Sequence, residues 1–338
     1  MLLQPQKPSL QPQKPTLQPQ KPSPQSIKQY PHQPQKLPTS LEDESSRGRS
    51  ELIKMFKQDQ TEQLGLNEYI PQNRPTNEIR IATYNVHYWS RPESHNPMPA
   101  GEDTAKILLT IKNIEADIIV LQEVSFVYPE VKKMFESYIS DIGFKYTTFC
   151  KAHDVFGAFF GNYIISKFPI INTKIIKLEK NTEGRCAIQA NIKLANNKEL
   201  TIVGTHLDVY DETEQVRVRQ IKDILKHIEI NNKNVILTGD FNSMRRKDYS
   251  DVEWNTIVQQ EKVRGFNAVS LVTDLLETQG WQTSFTKINA TPPKSTVWPS
   301  RTVDHIYVNS DFSFPILGSY VYHNSSSDHI PVIIDILI

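Results

Sequence analysis

The chain has 338 residues, and its 38 basic side chains are balanced by 38 acidic ones. Residues 1–40 contribute five lysines and no acidic residue, which leaves the remainder mildly acidic, with 33 basic against 38 acidic residues. This balance argues against a protein that coats nucleic acid with a large basic surface.

The N-terminal sequence and the two cysteines indicate the cellular compartment of the protein. No apolar stretch there is long enough for a signal peptide or a membrane span. Cys150 and Cys186 are too few for a disulfide framework and fit no metal or redox motif. We therefore expect a soluble, monomeric, intracellular protein in the cytoplasm or the nucleus.

Residues 1–40 contain a repeat of the type QPQKPSL, at 4–10, 11–17 and 18–24, with a degenerate copy at 33–39. Ten prolines in these forty residues favour extended chain over a packed core. We expect a disordered arm, which could also serve as a ligand for a Pro-rich-motif-binding protein or as a weak polycation. Residues 41–77 are interpreted as a linker with a short helix around 50–57.

Residues 78–338 alternate short β-branched runs with helical patterns, which is typical of a layered α/β domain. The spacing predicts helices around 107–114, 131–139 and 216–230. The predicted strands are 79–85, 117–122, 163–166, 187–194, 200–205, 234–239, 302–308 and 332–336. We expect one domain over 78–338.

Polar residues recur where the predicted strands give way to loops, which is where α/β sheets build their sites. The segments are ATYNVHY with Asn85 and His87, IIVLQEV with Glu123, GTHLDV with His206 and Asp208, TGDFNSM with Asp240 and Asn242, TVDHIYV with Asp304, and SSSDHIPV with Asp328 and His329. Each segment alone fits a turn or a surface residue. Their order along the chain is far more specific.

In this order the six segments resemble the endonuclease/exonuclease/phosphatase superfamily, over about residues 80–338. The resemblance implies a deoxyribonuclease-like four-layer sandwich, in which two mixed β-sheets lie face to face with helices outside. It also implies a metal-dependent phosphodiester hydrolase. Such a reaction needs a cation on the phosphate, an activated water and donors for the transition-state charge.

The resemblance assigns roles to individual residues. Glu123 and Asp328 would bind Mg²⁺, or Mn²⁺ in its place, because both ions prefer hard carboxylate oxygen, and Asn85 would hold a metal-bound or phosphate oxygen. Asp240 would orient or deprotonate water, and Asn242 would donate to the phosphate. The remaining catalytic candidates are His206, as a donor or acid, and the pair of Asp304 and His329, in which the carboxylate orients the ring.

Departures from the superfamily pattern limit which branch of the superfamily the sequence fits. His87 stands where apurinic endonucleases carry an acidic residue, and FNSM and TVDHIYV differ from the inositol phosphatase motifs. The branch with deoxyribonucleases, tyrosyl-DNA phosphodiesterases, sphingomyelinases and deadenylases fits better. His87, His153 and His305 are interpreted as structural.

Nucleic acid is the preferred substrate because Arg245, Arg246 and Lys247 follow GDFNSM and could reach flanking phosphates. Further substrate-binding candidates are Arg185, Trp298 and Arg301. One alternative is a phospholipid or sphingomyelin phosphodiesterase. The other is a non-catalytic binding module with a Pro-rich partner arm, although binding alone does not require this set of residues.

Overall fold

A computed structural model of the chain describes residues 74–89, 102–126, 129–155, 157–228, 234–297, 301–323 and 326–338. The chain divides into two units, residues 1–45 and 46–338, and the described residues belong to the second. The predicted disordered arm and the helix expected around 50–57 lie outside the described residues. None of the described helices has the length and apolarity needed to cross a membrane.

Twelve strands run through the described residues and form two mixed six-stranded sheets. They are β1 (Glu78–Asn85), β2 (Ile118–Phe126), β3 (Tyr146–Val155), β4 (Ala158–Ser166), β5 (Ile170–Lys177), β6 (Cys186–Lys193), β7 (Glu199–His206), β8 (Val235–Asp240), β9 (Gln282–Thr283), β10 (Asp304–Val308), β11 (Ile316–Val321) and β12 (Val332–Leu337). The first sheet has the order β11-β12-β1-β2-β4-β3, and the second has the order β5-β6-β7-β8-β10-β9.

A parallel pair lies at the centre of each sheet and brings strand ends together. In the first sheet β1 runs parallel to β2, and in the second β7 runs parallel to β8, so that His206 faces Asp240. The start of β10 is antiparallel to the end of β8, which places Asp304 opposite Asp240. Because β12 begins with Val332 opposite Thr83, the turn before it lies beside the end of β1.

The described helices are α1 (Glu102–Asn113), α2 (Pro129–Asp141), α3 (Gln215–His227), α4 (Asp251–Arg264), α5 (Leu271–Thr278) and α6 (Ser284–Lys287). Helices α1 and α2 cover the outer face of the first sheet, and α3 and α5 cover that of the second. One buried apolar cluster, with Ile81 and Ile236 among its members, fills the space between the sheets. Two further clusters join the sheets to the helices outside, through Ile107 of α1 and Ile221 of α3. The predicted four-layer α/β sandwich is therefore confirmed.

All eight predicted strands are present, although β2 and β4 are longer than expected. The sequence patterns did not predict strands β3, β5, β9 and β11 or helices α4 to α6. Strand β5 buries only Ile176 among its eight residues, so it shows no alternation. Helix α4 buries only Ile257 and Glu261, and one of these is charged. Elements with such narrow buried faces leave little periodic signal.

Cys150 on β3 and Cys186 on β6 form a disulfide that links the two sheets. Both residues are fully buried. Neither their number nor their spacing predicted this pairing, because the strands that carry them belong to different sheets.

Candidate active site

Asn85, at the end of β1, joins the edges of the two sheets. Its side-chain Nδ2 donates to Oε1 of Glu123 at 3.1 Å and to Oδ2 of Asp240 at 3.0 Å. Its Oδ1 accepts from the backbone N–H of His87 at 3.0 Å. In this arrangement Asn85, which was expected to hold a metal-bound or phosphate oxygen, orients two carboxylates through Nδ2, and the backbone holds its Oδ1.

Glu123 lies at an irregularity of β2, where the register against β4 shifts between Leu121 and Val124 and the backbone takes a positive φ of 56°. Such strained backbone is often found at functional sites. Burial raises the pKa of the Glu123 carboxyl, an effect that His87 opposes and Asp328 reinforces. Among the described residues, its Oε2 is buried without a hydrogen-bond partner.

That unpartnered oxygen fits a divalent cation. Asp328, whose side chain is 25% exposed, lines the same cleft as Glu123. Ser327 Oγ donates to its Oδ1 at 3.3 Å. Two carboxylates with a free oxygen make the hard donor set that Mg²⁺ or Mn²⁺ takes.

Asp304 and His329 are in direct contact, although 25 residues separate them in the chain. His329 Nδ1 lies 2.8 Å from Oδ2 of Asp304. Burial alone would lower the pKa of His329, but the Asp304 carboxylate outweighs it and raises that pKa well above its usual value. The ring is therefore an imidazolium, and its Nε2 points toward Oδ2 of Asp240 at 3.7 Å.

By distance alone, Asp240, Asp304 and His329 could also hold a metal ion. We favour the Glu123 side for a cation, because an imidazolium has no free lone pair to offer a metal.

Asp240 occupies the centre of the site. Its Oδ1 accepts the backbone N–H of Asn242 at 2.8 Å. Burial raises the pKa of Asp240 to about 6, and the neighbouring Asp304 adds to that rise. Asn242 has a φ of 46°, a conformation that Asn tolerates, and its Nδ2 donates to the Leu207 carbonyl at 3.1 Å. The expected Asn242 donor to phosphate is thus engaged with backbone here.

His206 lies between Arg185 and the carboxylates. Arg185 Nη1 is 3.3 Å from Nδ1 of His206, and because arginine only donates, Nδ1 must accept. The His206 proton is then on Nε2, which lies 3.5 Å from Oδ2 of Asp240 and 4.0 Å from Oε1 of Glu123. Burial and the Arg185 charge lower the pKa of His206 well below its usual value. His206 is a neutral N–H donor.

One cleft of about 360 Å³ is lined by most of these residues, namely Glu123, His206, Asp240, Asn242, Asp328 and His329. Arg185, which was expected to contact phosphate, lines it but is 96% buried, with its Nη2 3.1 Å from Glu183. Arg301 also lines the cleft and forms an ion pair with Glu261. Trp298, the remaining candidate from that segment, lies outside the described residues.

Arg245, which was predicted to contact flanking phosphates, does not line this cleft. Its guanidinium bonds to Asp248 and Glu277, and it lines a separate cavity of about 860 Å³. Lys247 binds the same Glu277, and Arg246 pairs with Asp251. The basic run after GDFNSM is therefore neutralised locally by acidic neighbours.

Two residues of the ATYNVHY segment that were not site candidates, His87 and Tyr88, also line the cleft. His87, which was interpreted as structural, lines the cleft with its Nδ1 3.9 Å from Oδ1 of Asp328. The ring of Tyr88 stacks on Phe160 at a centroid distance of 5.0 Å. The signal for His87 was its place two residues after Asn85, whereas nothing distinguished Tyr88.

His153 and His305 bond to the carbonyls of Gly184 and Ser243, both at 2.9 Å, as structural histidines do. Neither ring lines the cleft that holds the catalytic candidates.

Comparison of the sequence with known protein families identifies one matching family. The sequence model of the Endonuclease/Exonuclease/phosphatase family matches residues 82–329. An endonuclease/exonuclease/phosphatase from Beutenbergia cavernae is similar in structure, with a TM-score of 0.61 and 16% identity over 78% of this chain and 72% of that one. No curated protein matches the sequence.

Two further solved structures share the fold. The human Nocturnin catalytic domain has a TM-score of 0.57 and 18% identity, over 77% of this chain and 93% of that one. ANGEL2, described as a 2′,3′-cyclic phosphatase, has a TM-score of 0.55 and 15% identity over 77% of this chain and 95% of its own. At these identities the likeness shows the fold alone.

Proposed function

Since the chain belongs to the endonuclease/exonuclease/phosphatase family, whose members are hydrolytic phosphoesterases, we propose that it is a divalent-metal-dependent phosphodiesterase acting on nucleic acid or on an adduct at its end. The metal is Mg²⁺, with Mn²⁺ able to replace it. One observation carries the proposal: a single cleft collects Glu123 with its unpartnered buried oxygen, Asp240, His206 and His329.

Glu123 and Asp328 would hold the cation. Once bound, it would offset the negative charge of the phosphate and polarise the phosphorus centre. Asn85 fixes Glu123 and Asp240 relative to each other through its two hydrogen bonds. Asn85 therefore fixes the position of the proposed metal ligand, Glu123, relative to the proposed proton acceptor, Asp240.

Asp240 is the proton acceptor for the attacking water. Its raised pKa, about 6, makes it a stronger base than an exposed aspartate while leaving it ionised at neutral pH. The backbone N–H of Asn242 and the amide of Asn85 hold the two carboxylate oxygens. The carboxylate is therefore oriented before substrate arrives.

The two histidines supply donors for the charge that develops on phosphate oxygens. His329 would donate from Nε2 as an imidazolium that Asp304 orients through Nδ1. His206 would donate from Nε2 as a neutral ring that Arg185 holds through Nδ1. Preorganised donors of this kind typically contribute about 10²- to 10³-fold in rate each.

The walls of the cleft support nucleic acid as the substrate class. Tyr88, Phe160 and Tyr210 provide rings on which a base can stack, and Arg217, Arg264 and Arg301 provide positive charge. A phosphocholine diester is the second candidate, because Tyr88 and Tyr210 lie in the cleft with the Glu183 carboxylate and could enclose a quaternary ammonium.

The experiment is a substrate panel. The purified chain is incubated with Mg²⁺ or Mn²⁺ and with bis(p-nitrophenyl) phosphate, single- and double-stranded DNA, RNA, 5′-tyrosyl DNA and sphingomyelin vesicles. Metal-dependent cleavage of a nucleic acid or the tyrosyl adduct is the expected result. Cleavage of sphingomyelin alone selects the second candidate, and no cleavage of any diester contradicts the proposal.

A further inference from the structure

The charged side chains that line the cleft do not all balance each other. Near the catalytic groups its wall carries the rings of Tyr88 and Tyr210, and the charges of Arg185 and Glu183 balance each other. The lining also includes three arginines, Arg217, Arg264 and Arg301, and two further carboxylates, Glu214 and Glu261. These five side chains together carry one net positive charge.

A single carboxylate serves two of these arginines. Arg264 Nη1 lies 3.1 Å from Oε1 and 3.2 Å from Oε2 of Glu261, and Arg301 Nη2 is paired with the same Oε1. Arginine stays protonated in proteins, so this cluster carries one net positive charge. We call Glu261, Arg264 and Arg301 the arginine cluster.

The cluster combines a fixed part with an accessible part. The side chains of Glu261 and Arg301 are only 6% and 10% exposed, whereas that of Arg264 is 48% exposed. Arg264 and Glu261 both come from the last turn of α4, and the guanidinium of Arg264 lies over the ring of Phe266. A buried ion pair therefore holds an exposed guanidinium at the rim of the cleft.

Two buried donors on the wall formed by these arginines lack an acceptor. Among the described residues, the Nε groups of Arg217 and Arg301 are buried with no hydrogen-bond partner, and both side chains are at least nine-tenths buried. A buried donor without an acceptor costs free energy, so an additional acceptor nearby is favourable. An anion on this wall would compensate the unbalanced positive charge.

The position of the cluster relative to the catalytic groups follows from backbone pairing. Val297 pairs with Arg301 on one side and with His329 on the other. Two strand spacings of about 4.8 Å put the backbone of Arg301 roughly 10 Å from that of His329. A long arginine side chain spans much of that interval, so a group one nucleotide away from the scissile phosphate lies within reach.

We propose that the arginine cluster is a second phosphate subsite, which binds the phosphate next to the scissile one in a polynucleotide strand. This inference rests on the phosphodiesterase function proposed above. The guanidinium fork matches phosphate oxygens in geometry and charge. The rings of Tyr88 and Tyr210 in the same cleft give the intervening nucleotide a surface on which its base can stack.

The test compares dinucleotides that differ by one phosphate. The substrates are thymidylyl-thymidine without a terminal phosphate, with a 5′-phosphate and with a 3′-phosphate, each incubated with the full chain and Mg²⁺ or Mn²⁺. A terminal phosphate on one of the two ends is expected to raise kcat/KM about tenfold, which corresponds to one charge-assisted hydrogen bond.

The variants isolate the cluster from general charge effects. In Arg264→Ala the ratio of kcat/KM with and without the terminal phosphate should fall to about one, and in Arg264→Lys it should fall part of the way, because the fork is lost. The control is Arg219→Ala. Its side chain is 50% exposed and paired with Glu179, and it does not line the cleft, so the ratio should stay at the wild-type value.

Two failures remain distinguishable. If the wild type cleaves the dinucleotide but neither terminal phosphate raises kcat/KM, or if Arg264→Ala keeps the ratio, the subsite is wrong while the phosphodiesterase function stands. If neither the dinucleotides nor bis(p-nitrophenyl) phosphate is cleaved, the proposed function fails, and the subsite that rests on it fails too.

Discussion

Arg185 and His206, 21 residues apart, meet with Nη1 of the guanidinium 3.3 Å from Nδ1 of the imidazole. Because the guanidinium has no acceptor, this contact fixes the tautomer of His206 and turns its N–H into the cleft. Arg185 is 96% buried, so a substrate has little access to its charge. Its position indicates that Arg185 acts through His206.

Replacing Arg185 should therefore change the tautomer of His206 more than it changes the affinity for substrate. In Arg185→Met we expect a mixture of His206 tautomers and a fall in kcat of about tenfold or more, with a smaller change in KM. Nitrogen NMR of the labelled ring reports the tautomer directly. The same Arg219→Ala variant serves as the control, and a variant that keeps a pure Nε2–H tautomer would refute this role.

Asp304 and His329 should act as one unit, because the carboxylate orients and charges the ring. We expect Asp304→Asn, His329→Ala and the double variant to show similar losses of kcat, each on the order of 10²-fold or more, with folding preserved. The measurement is single-turnover cleavage of a substrate from the panel at saturating metal. Losses that multiply in the double variant would mean that the two residues act independently.

The pKa of Asp240, raised to about 6 by burial, makes stability depend on pH. The folded chain binds this proton more tightly than the unfolded chain, so the stabilisation is full below about pH 4 and is lost as pH rises through about 6. Without metal, this amounts to a loss of about 2 to 3 kcal/mol from Asp240 alone.

Urea unfolding in EDTA at a series of pH values tests the raised pKa of Asp240. The free energy of unfolding of the wild type should fall relative to that of Asp240→Asn between about pH 4 and 7. A constant difference in the free energy of unfolding between the two proteins across that range would mean that burial does not raise the pKa of this carboxyl.

Removing residues 1–40 should leave folding and the chemical step intact, because a Pro-Gln-Lys repeat adds no apolar core. Binding to long polyanions should weaken through the loss of five lysines, more visibly at low salt. Thermal unfolding and cleavage of the full and truncated chains test this. A truncated chain that unfolds at a much lower temperature would contradict it.

The predicted site residues that the structure brings together belong to buried apolar strands. Asn85, His206 and Asp240 end β1, β7 and β8, so the pattern that locates the strand also locates the polar residue at its end. Glu123 lies within β2, at the register shift that follows its first apolar run. Parallel pairing then brings the ends together without any further signal in the sequence.

The sequence does not reveal contacts between residues that are far apart in the chain. The partner of Arg245, Glu277, comes from α5, 32 residues away. Arg264 belongs to a helix that buries only two residues, so its place at the cleft could not be read from periodicity. The arrangement of charges on the cleft walls is a tertiary property, because it depends on which loops and helices pack beside the strand ends.

If a cation held by Glu123 drives diester hydrolysis in this cleft, turnover must depend on both the metal and this carboxylate. Turnover of bis(p-nitrophenyl) phosphate is recorded for the wild type and Glu123→Gln over a series of Mg²⁺ concentrations and in EDTA. We expect no turnover in EDTA and a loss of about two orders of magnitude or more in Glu123→Gln. Full turnover of the wild type in EDTA, or wild-type turnover by Glu123→Gln, would contradict the account.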